Sequence, residues 1–479
     1  MSNHKISTLI STYNSVEYLK LAIKSVRQNA YYKDMPILVF AENNQDGTDE
    51  WLEEHQDKYD LEIYIEHNDE TRPKGVGGGM DFLVHKAQTE FVNIIHSDMW
   101  IAPNQDLELL KLYDNIPNTE RLIASSFRIQ PHIFPEDPDY RPGTVFFPIE
   151  EFGDKYSNFD SDYFDKWATE FSKTNDIMVR KGGGAGFFCR KRDYEWIGGN
   201  DPLFRPVCHE DMDLFIRMQL AGFTFKMTTK SIQWHFSARP SMFTEDDYTK
   251  RAPRRVKAED DNYYKWMKKW GKAYDTDEQT FVKPIQGSKV EPRIEKNLQP
   301  WMHPKEVELV KKYLKPTDIM MEYGSGGSTI QFGNLVDTYY SVEHVEDWYL
   351  KVWTAIEKNY LLDDTHKNVF LNHIAPNKPR SKPTQYDEFT DYIEFPKNLD
   401  NVKFDKVFID GRARSHCAKF ILDYLHEDSI VFFHDFWARP EYHWILDYYD
   451  EVESVKDTQV ETGQTIVALK PKAKMGRTL

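Results

Sequence analysis

Glu90-Phe91-Val92-Asn93-Ile94-Ile95-His96-Ser97-Asp98-Met99-Trp100 is a short apolar run that stops abruptly at a polar triplet. Its length, its β-branched side chains and its closure by His96, Ser97 and Asp98 predict a buried parallel strand. The carboxyl end of such a strand opens at the ligand edge of an α/β sheet. That edge suits a hard divalent cation and the diphosphate of a nucleotide, because magnesium and manganese take oxygen and imidazole ligands and bridge phosphate oxygens. The triplet alone equally describes a strand followed by a polar turn, so the neighbouring segments decide.

Upstream, residues 5–12 (KISTLIST) predict a first strand, followed by Tyr13-Asn14 and an amphipathic helix carrying Val16, Leu19, Ala22, Ile23 and Val26. Residues 36–41 (PILVFA) predict a second strand that empties into Glu42-Asn43-Asn44-Gln45-Asp46-Gly47-Thr48, ahead of a helix with Trp51 and Leu52. Residues 61–66 give a third strand and residues 77–87 a Gly-led helix. This βα alternation predicts a parallel sheet with its ligands at the carboxyl edge.

Downstream, residues 128–180 are rich in Asp, Phe, Tyr and Pro with little periodicity, which predicts an insertion acting as a lid or small subdomain. Lys181-Gly182-Gly183-Gly184-Ala185-Gly186-Phe187-Phe188-Cys189 is a Gly run entering a strand, without the GxxxxGK[ST] of a phosphate loop. It reads as a close backbone approach or as a plain bulge. His209-Glu210-Asp211-Met212-Asp213-Leu214 opens a helix with its carboxylates in the first turn, where ordinary dipole partners also sit. Ser231-Ile232-Gln233-Trp234-His235-Phe236 ends another strand in a histidine. Residues 243–272 predict one charged helix with a packing stripe at Tyr263, Tyr264, Trp266, Met267 and Trp270, and Arg251-Ala252-Pro253-Arg254-Arg255 predicts a solvated face.

Pro284, Gly287 and Pro292 give residues 275–299 linker character and place a boundary near residue 290. The α/β pattern then restarts. Residues 318–322 form a strand that runs into Glu322-Tyr323-Gly324-Ser325-Gly326-Gly327-Ser328-Thr329. About 20 residues later Tyr339-Tyr340-Ser341-Val342-Glu343 ends in an acid, at the spacing that lets a carboxylate bind ribose hydroxyls. The third Gly of GxGxxG is missing. Lys406-Val407-Phe408-Ile409-Asp410-Gly411 and Ile430-Val431-Phe432-Phe433-His434-Asp435 are two further strand ends, which bring Asp410, His434 and Asp435 to the same edge.

The whole chain has 479 residues, enough for two or three domains. With 40% hydrophobic and 29% charged residues, 27 Tyr, 30 Phe and 12 Trp, it is a folded, aromatic-rich protein. A formal charge of −17 argues against a general nucleic-acid or anionic-membrane binder. The three cysteines, Cys189, Cys208 and Cys417, form no CxxC, so neither a disulfide framework nor a structural zinc is indicated and a reducing cytoplasm is expected. Met1 to Lys5 lead straight into a strand without a signal peptide, and no run approaches the roughly 18 apolar residues of a membrane span.

The first half resembles the family 2 glycosyltransferases with the GT-A fold. Ser11-Thr12-Tyr13-Asn14 is similar to their first-strand signature, Glu42 through Thr48 to their acidic loop after strand two, and His96-Ser97-Asp98 stands where they carry the DxD motif, with His96 in place of the first Asp. The resemblance implies a nucleotide-sugar donor, with uridine indicated by Glu42, seated by Ser11, Tyr13, Glu42, Arg72, Ser97 and Asp98. It implies manganese or magnesium on Asp98 and His235, an acceptor glycan approached by Gly184, Gly186 and Glu210, and Asp211 as the base of an inverting transfer. The second half resembles S-adenosylmethionine-dependent O-methyltransferases acting on polysaccharides or small hydroxyl compounds. That implies cofactor binding by Glu322, Gly324, Ser325, Gly326 and Glu343, with Asp410, His434 and Asp435 facing the methyl acceptor as a second divalent site or as a base.

The expected organisation is a GT-A domain over residues 1–275, a linker over 276–295 and a Rossmann-like methyltransferase domain over 296–479. The expected activity is metal-dependent sugar transfer followed by O-methylation in polysaccharide biosynthesis. Three alternatives stay open: a glycosyltransferase with a non-catalytic recognition module, a glycan-binding scaffold with decayed catalytic folds, and a nicotinamide dehydrogenase in the second half. No pattern in the sequence specifies self-association.

Overall fold

The computed structural model describes residues 4–68, 72–131, 145–146, 149–174, 177–180, 184, 186–236, 243–244, 247–271, 290–379, 381, 384–456 and 465–472. The chain divides into two compact units, Met1–Ile294 and Glu295–Leu479. Residues 276–289 of the expected linker lie outside the described residues.

The first unit is built on strands β1 (Ile6–Thr12), β2 (Ile37–Glu42), β3 (Leu61–Glu66), β4 (Phe91–His96), β5 (Met99–Ile101), β6 (Leu122–Gln130), β7 (Val145–Phe146), β8 (Ile177–Arg180), β9 (Phe187–Arg190) and β10 (Thr224–His235). They are ordered β3-β2-β1-β4-β9-β6-β10-β5, with β7 on β6 and β8 on β10. β1 and β2 are buried along their whole length, as parallel strands between two helical layers must be. On one face Leu19, Ile23 and Val26 of the helix Val16–Asn29 meet Ile10 and Ile95; on the other Leu83 and Phe215 meet Leu9 and Phe40. β1 pairs with β2 on one side and β4 on the other, so the chain order reverses here. That reversal opens a crevice beyond the carboxyl ends, where Ser11 lies in register with His96.

A second pairing decides the site. The three-residue β5 runs antiparallel to β10, with Met99 opposite His235 and Trp100 opposite Trp234. The turn at Ser97 and Asp98 is thereby folded back against the end of β10.

Two expectations change. Arg128 belongs to β6, and the segment after it contains the helix Ser161–Lys173, whose buried Phe164 and Ala168 face the aromatic core around Trp100 and Trp234. This helix is tied to the sheet through Asp165, which accepts from Trp100 Nε1 at 2.9 Å and Asn29 Nδ2 at 2.8 Å. Residues 243–244 and 247–251, expected as helix, form the short strands β11 (Phe243–Thr244) and β12 (Asp247–Arg251), and the helix starts only at Pro253, running Pro253–Trp270. Proline at the first helical position has a preset φ and no amide hydrogen to waste, which is why the helix begins there.

The second unit orders its strands β15-β14-β13-β16-β17-β19-β18. These are β13 (Ile319–Tyr323), β14 (Thr338–Glu343), β15 (Val369–His373), β16 (Phe404–Ile409), β17 (Leu425–His434), β18 (Tyr449–Val455) and β19 (Ile466–Pro471). β13 to β17 are parallel, and β19 is antiparallel to both of its neighbours. The order reverses at β13, which puts the Gly-rich turn after it at the ligand edge.

Candidate functional site

His96 at the end of β4, Asp98 in the following turn and His235 at the end of β10 offer ligand atoms that all lie within 4.8 Å of one another. His235 Nε2 stands 3.5 Å from Asp98 Oδ1. On its other side Nδ1 is 3.0 Å from Oε1 of the buried Gln130. An amide oxygen can only accept, so Nδ1 carries the hydrogen and the lone pair of Nε2 faces Asp98. Burial lowers the His235 pKa to about 4 against the opposing pull of Asp98, and burial likewise lowers that of His96. Two neutral imidazoles and one carboxylate converge, a donor set that fits a divalent cation such as manganese. His96, expected only as a departure from the acidic pattern, is part of it.

The loops on the donor side are stitched together. Asn14 N donates to Asn44 Oδ1 at 2.7 Å, Val16 N to Asp46 Oδ2 at 2.8 Å, and Ser15 Oγ to Ser97 Oγ at 2.9 Å. Glu42 accepts from Asn68 Nδ2 and Lys74 N at 2.7 Å and from Gly75 N at 2.8 Å, so its carboxylate holds the entry to the helix Gly75–Lys86. A Cβ on Gly79 would meet Ser11 Oγ at 2.5 Å, which places the Ser11 side chain beneath that helix. Arg72 is half-buried on the segment just before it. Tyr13 faces Arg254, whose guanidinium carbon is 4.1 Å from the ring centroid.

Across the crevice Glu210 and Asp211 begin the helix Glu210–Leu220. Burial, then the neighbouring Asp211 charge, raises the Glu210 pKa to about 8. Asp211 exerts its charge on His96 as well. The chain enters this helix through Cys208 and His209 at φ 80° and 70°, two consecutive non-glycine residues in the left-handed region. The buried Asn262 restrains that entry: its Nδ2 lies 2.7 Å from Phe204 O, 2.8 Å from Val207 O and 3.2 Å from Cys208 O. Of the expected acceptor loop, residues 181–183 and 185 lie outside the described residues. Gly184 is buried, and Gly186 (φ 74°) packs against Gln233 of β10 and Met99 of β5.

In the second unit Glu322 is fully buried and accepts from the hydroxyls of Ser328 at 2.5 Å and of Thr329 and Ser341 at 2.6 Å. Burial raises its pKa to about 7 against those bonds. Its place is a post under the glycine turn rather than the ligand face. Gly324 (φ 96°) lies against Gly411, where a Cβ would come within 2.4 Å of the Gly411 Cα. Glu343 accepts from His344 N at 2.8 Å, from Val345 N at 2.9 Å and from Ser325 Oγ at 3.4 Å. Trp348 Nε1 donates to Ser325 O at 2.7 Å, and its ring lies 3.8 Å from a Cβ built on Gly326.

Asp410, His434 and Asp435 also meet within 4.8 Å, but they are already engaged. Asp410 Oδ1 is 2.8 Å from His434 Nδ1 and 2.9 Å from Arg414 Nη2; Asp435 Oδ2 is 3.1 Å from Arg414 Nη1 and 3.2 Å from Arg439 Nη2. His434 Nε2 faces the buried Glu306 Oε1 at 3.6 Å. Although burial opposes it, Asp410, Glu306 and Asp435 raise the His434 pKa to about 10. An imidazole that faces carboxylates on both sides, two of them already paired with Arg414 and Arg439, is a poorer divalent site than the first cluster.

Residues 7–166, within the first unit, match the family model "Glycosyl transferase family 2". The fold is α/β in both units, each organised on one mixed sheet whose strand order reverses. Similar solved structures include GalNAc-T7 with UDP, GalNAc and Mn2+, at 14% identity over 51% of this chain and 49% of that one, with TM-score 0.36. Another is Staphylococcus aureus TarS 1–349 with UDP, at 16% identity over 48% of this chain and 60% of that one, TM-score 0.33. A methyltransferase-like protein from Silicibacter pomeroyi DSS-3 is 19% identical over 37% of this chain and 91% of its own, TM-score 0.30. The chain thus spans about half of GalNAc-T7, 49%, and no curated protein matches it. Among the described residues no helix is long and apolar enough to cross a membrane.

Proposed function

We propose that the first unit transfers a sugar from a nucleotide sugar, with a UDP-sugar as the preferred donor, to a glycan hydroxyl with inversion at the anomeric carbon. The observation that carries this reading is the convergence of His96, Asp98 and His235 at the crevice across which Asp211 stands. His96, Asp98 and His235 would hold manganese or magnesium, which supplies positive charge to the donor diphosphate. The loops around Tyr13 and Glu42 seat the nucleoside. Asp211 accepts the proton of the acceptor hydroxyl, and attack opposite the leaving group inverts the centre. Glu210, raised to about 8, keeps its proton near neutral pH and offers a hydrogen-bond donor beside that base. The intact chain, assayed with UDP-sugars, manganese and glycan acceptors, tests this. Asp211→Asn should cut transfer by about 10² to 10⁴-fold with donor binding kept; near-normal transfer removes Asp211 from the chemistry.

For the second unit the reading is S-adenosylmethionine binding by Gly324, Ser325, Gly326 and Glu343, with Glu322 holding the turn from below. The turn fits because its glycines let the backbone approach a ligand, and Glu343 presents acceptors to a ribose diol. The cofactor would supply a methyl group to a glycan hydroxyl. A recognition module without turnover is the second reading, favoured by His434, both of whose ring nitrogens face carboxylates and leave no base. Calorimetry of the intact chain decides between them: S-adenosylmethionine binding lost in Glu343→Ala, or no heat of binding at all. The three cysteines are buried thiols, in keeping with a cytoplasmic site of action.

A further inference from the structure

Arg251-Ala252-Pro253-Arg254-Arg255, expected to be a solvated face, leads into the helix Pro253–Trp270, and that helix has no freedom to swing. Trp266 and Trp270 are buried with Phe204, Met212 and Ile216. Trp270 Nε1 donates to Asp213 Oδ1 at 3.0 Å, and Lys269 Nζ lies 2.7 Å from Asp201 Oδ2. Asn262 clamps the loop that precedes Glu210. The far end of the helix is thus fixed to the elements that carry the proposed base, and its first turn is aimed at the crevice.

Consecutive helical residues diverge by about 100° around the axis. Arg254 goes one way, to the Tyr13 ring at 4.1 Å. Arg255 goes the other, with a side chain only 12% exposed and Nε 3.1 Å from Glu259 Oε1. Its charge acts on His96, Cys208 and Glu210. One guanidinium therefore stands at the nucleoside loop and the next at the His96 edge. The carboxylates of Asp98 and Asp211 act on the same edge, as does the charge of Arg128 at the far end of β6.

We propose that Arg254 and Arg255 bind the diphosphate of the donor, Arg255 on the phosphate next to the sugar and Arg254 on the one next to the nucleoside. This rests on the glycosyl-transfer reading above. During transfer the bond from the anomeric carbon to the β-phosphate oxygen breaks and its electron pair stays on that oxygen. The acceptor oxygen forms the new bond, and its proton passes to Asp211. Negative charge therefore grows on the terminal phosphate, where a desolvated guanidinium is worth most and matches phosphate oxygens in a two-pronged contact. Lysine would bring the charge without the fork.

The test is a calorimetric titration of UDP and of UMP into the intact protein with manganese present. Arg255→Ala should weaken UDP binding roughly ten- to a hundredfold and leave UMP binding nearly unchanged. Arg254→Ala should weaken both nucleotides, and Arg255→Lys should recover only part of the UDP affinity. Thermal melting of each variant separates lost binding from lost folding. Wild-type UDP affinity in the folded Arg254→Ala/Arg255→Ala double variant overturns the assignment. If the wild type itself binds neither nucleotide, the glycosyl-transfer reading falls, and this assignment with it.

Discussion

Each unit gathers histidine and aspartate at the carboxyl ends of the parallel strands of a mixed sheet, and the two clusters behave oppositely. In the first, burial keeps His96 and His235 neutral, Gln130 turns a lone pair of His235 inward, and Asp98 adds one carboxylate. In the second, His434, its pKa raised to about 10, sits between Asp410 and Glu306, while Arg414 pairs with Asp410 Oδ1 and joins Arg439 on Asp435 Oδ2. A divalent cation would complete the first cluster and would have to compete with the cationic partners of the second. Residue types within reach of one another therefore do not define a metal site; the charge left uncompensated does.

The largest effect that could break this contrast concerns stability. His434→Ala leaves Asp410 and Glu306 without their shared cation, and removing one partner of a buried ionic cluster costs about 3 to 5 kcal/mol. The wild type should carry the same dependence on pH. The folded pKa, about 10, lies above the ordinary 6.5, so the stabilisation is full below pH 6.5 and is lost as pH rises through 10. Denaturant unfolding of wild type and variant from pH 6 to 10 checks both points. Curves that stay parallel, or a variant as stable as the wild type at pH 7, would show that the cluster is not held by His434.

A smaller effect sharpens the other side. Gln130 would not itself hold the ion, yet Gln130→Ala frees His235 to take the wrong tautomer, and the loss of such a supporting partner costs roughly 10 to 100-fold in metal affinity. Unchanged affinity in that variant would mean that burial alone orients the ring.

The parts of this site legible from sequence are those fixed by neighbours along the chain. The apolar runs ending at His96, Glu343, Ile409 and His434 read as buried strands because burial on both faces imposes continuous hydrophobicity, and they are strands. What escaped was set by contacts across long separations. The strand Met99–Ile101 has three residues, too few for any periodicity, yet its pairing with β10 is what carries His235 to Asp98. Arg254 is exposed, as a solvated face would have it, but Arg255 looks like solvated charge until Trp266 and Trp270 anchor their helix in the core. Gln130 ends an apolar strand without any motif, and Glu306, in the first turn of the helix Pro304–Tyr313, reads there as an ordinary capping acid while its other oxygen meets His434. The helix Ser161–Lys173 lay hidden in a stretch whose composition obscured its apolar face.

Manganese binding by the intact protein in the presence of UDP, followed by calorimetry or by the electron spin resonance of the free ion, tests the central contrast most directly. The predicted result is one bound ion per chain, lost in Asp98→Ala and kept in Asp435→Ala. Two ions per chain, or one that survives Asp98→Ala and disappears in Asp435→Ala, would contradict it.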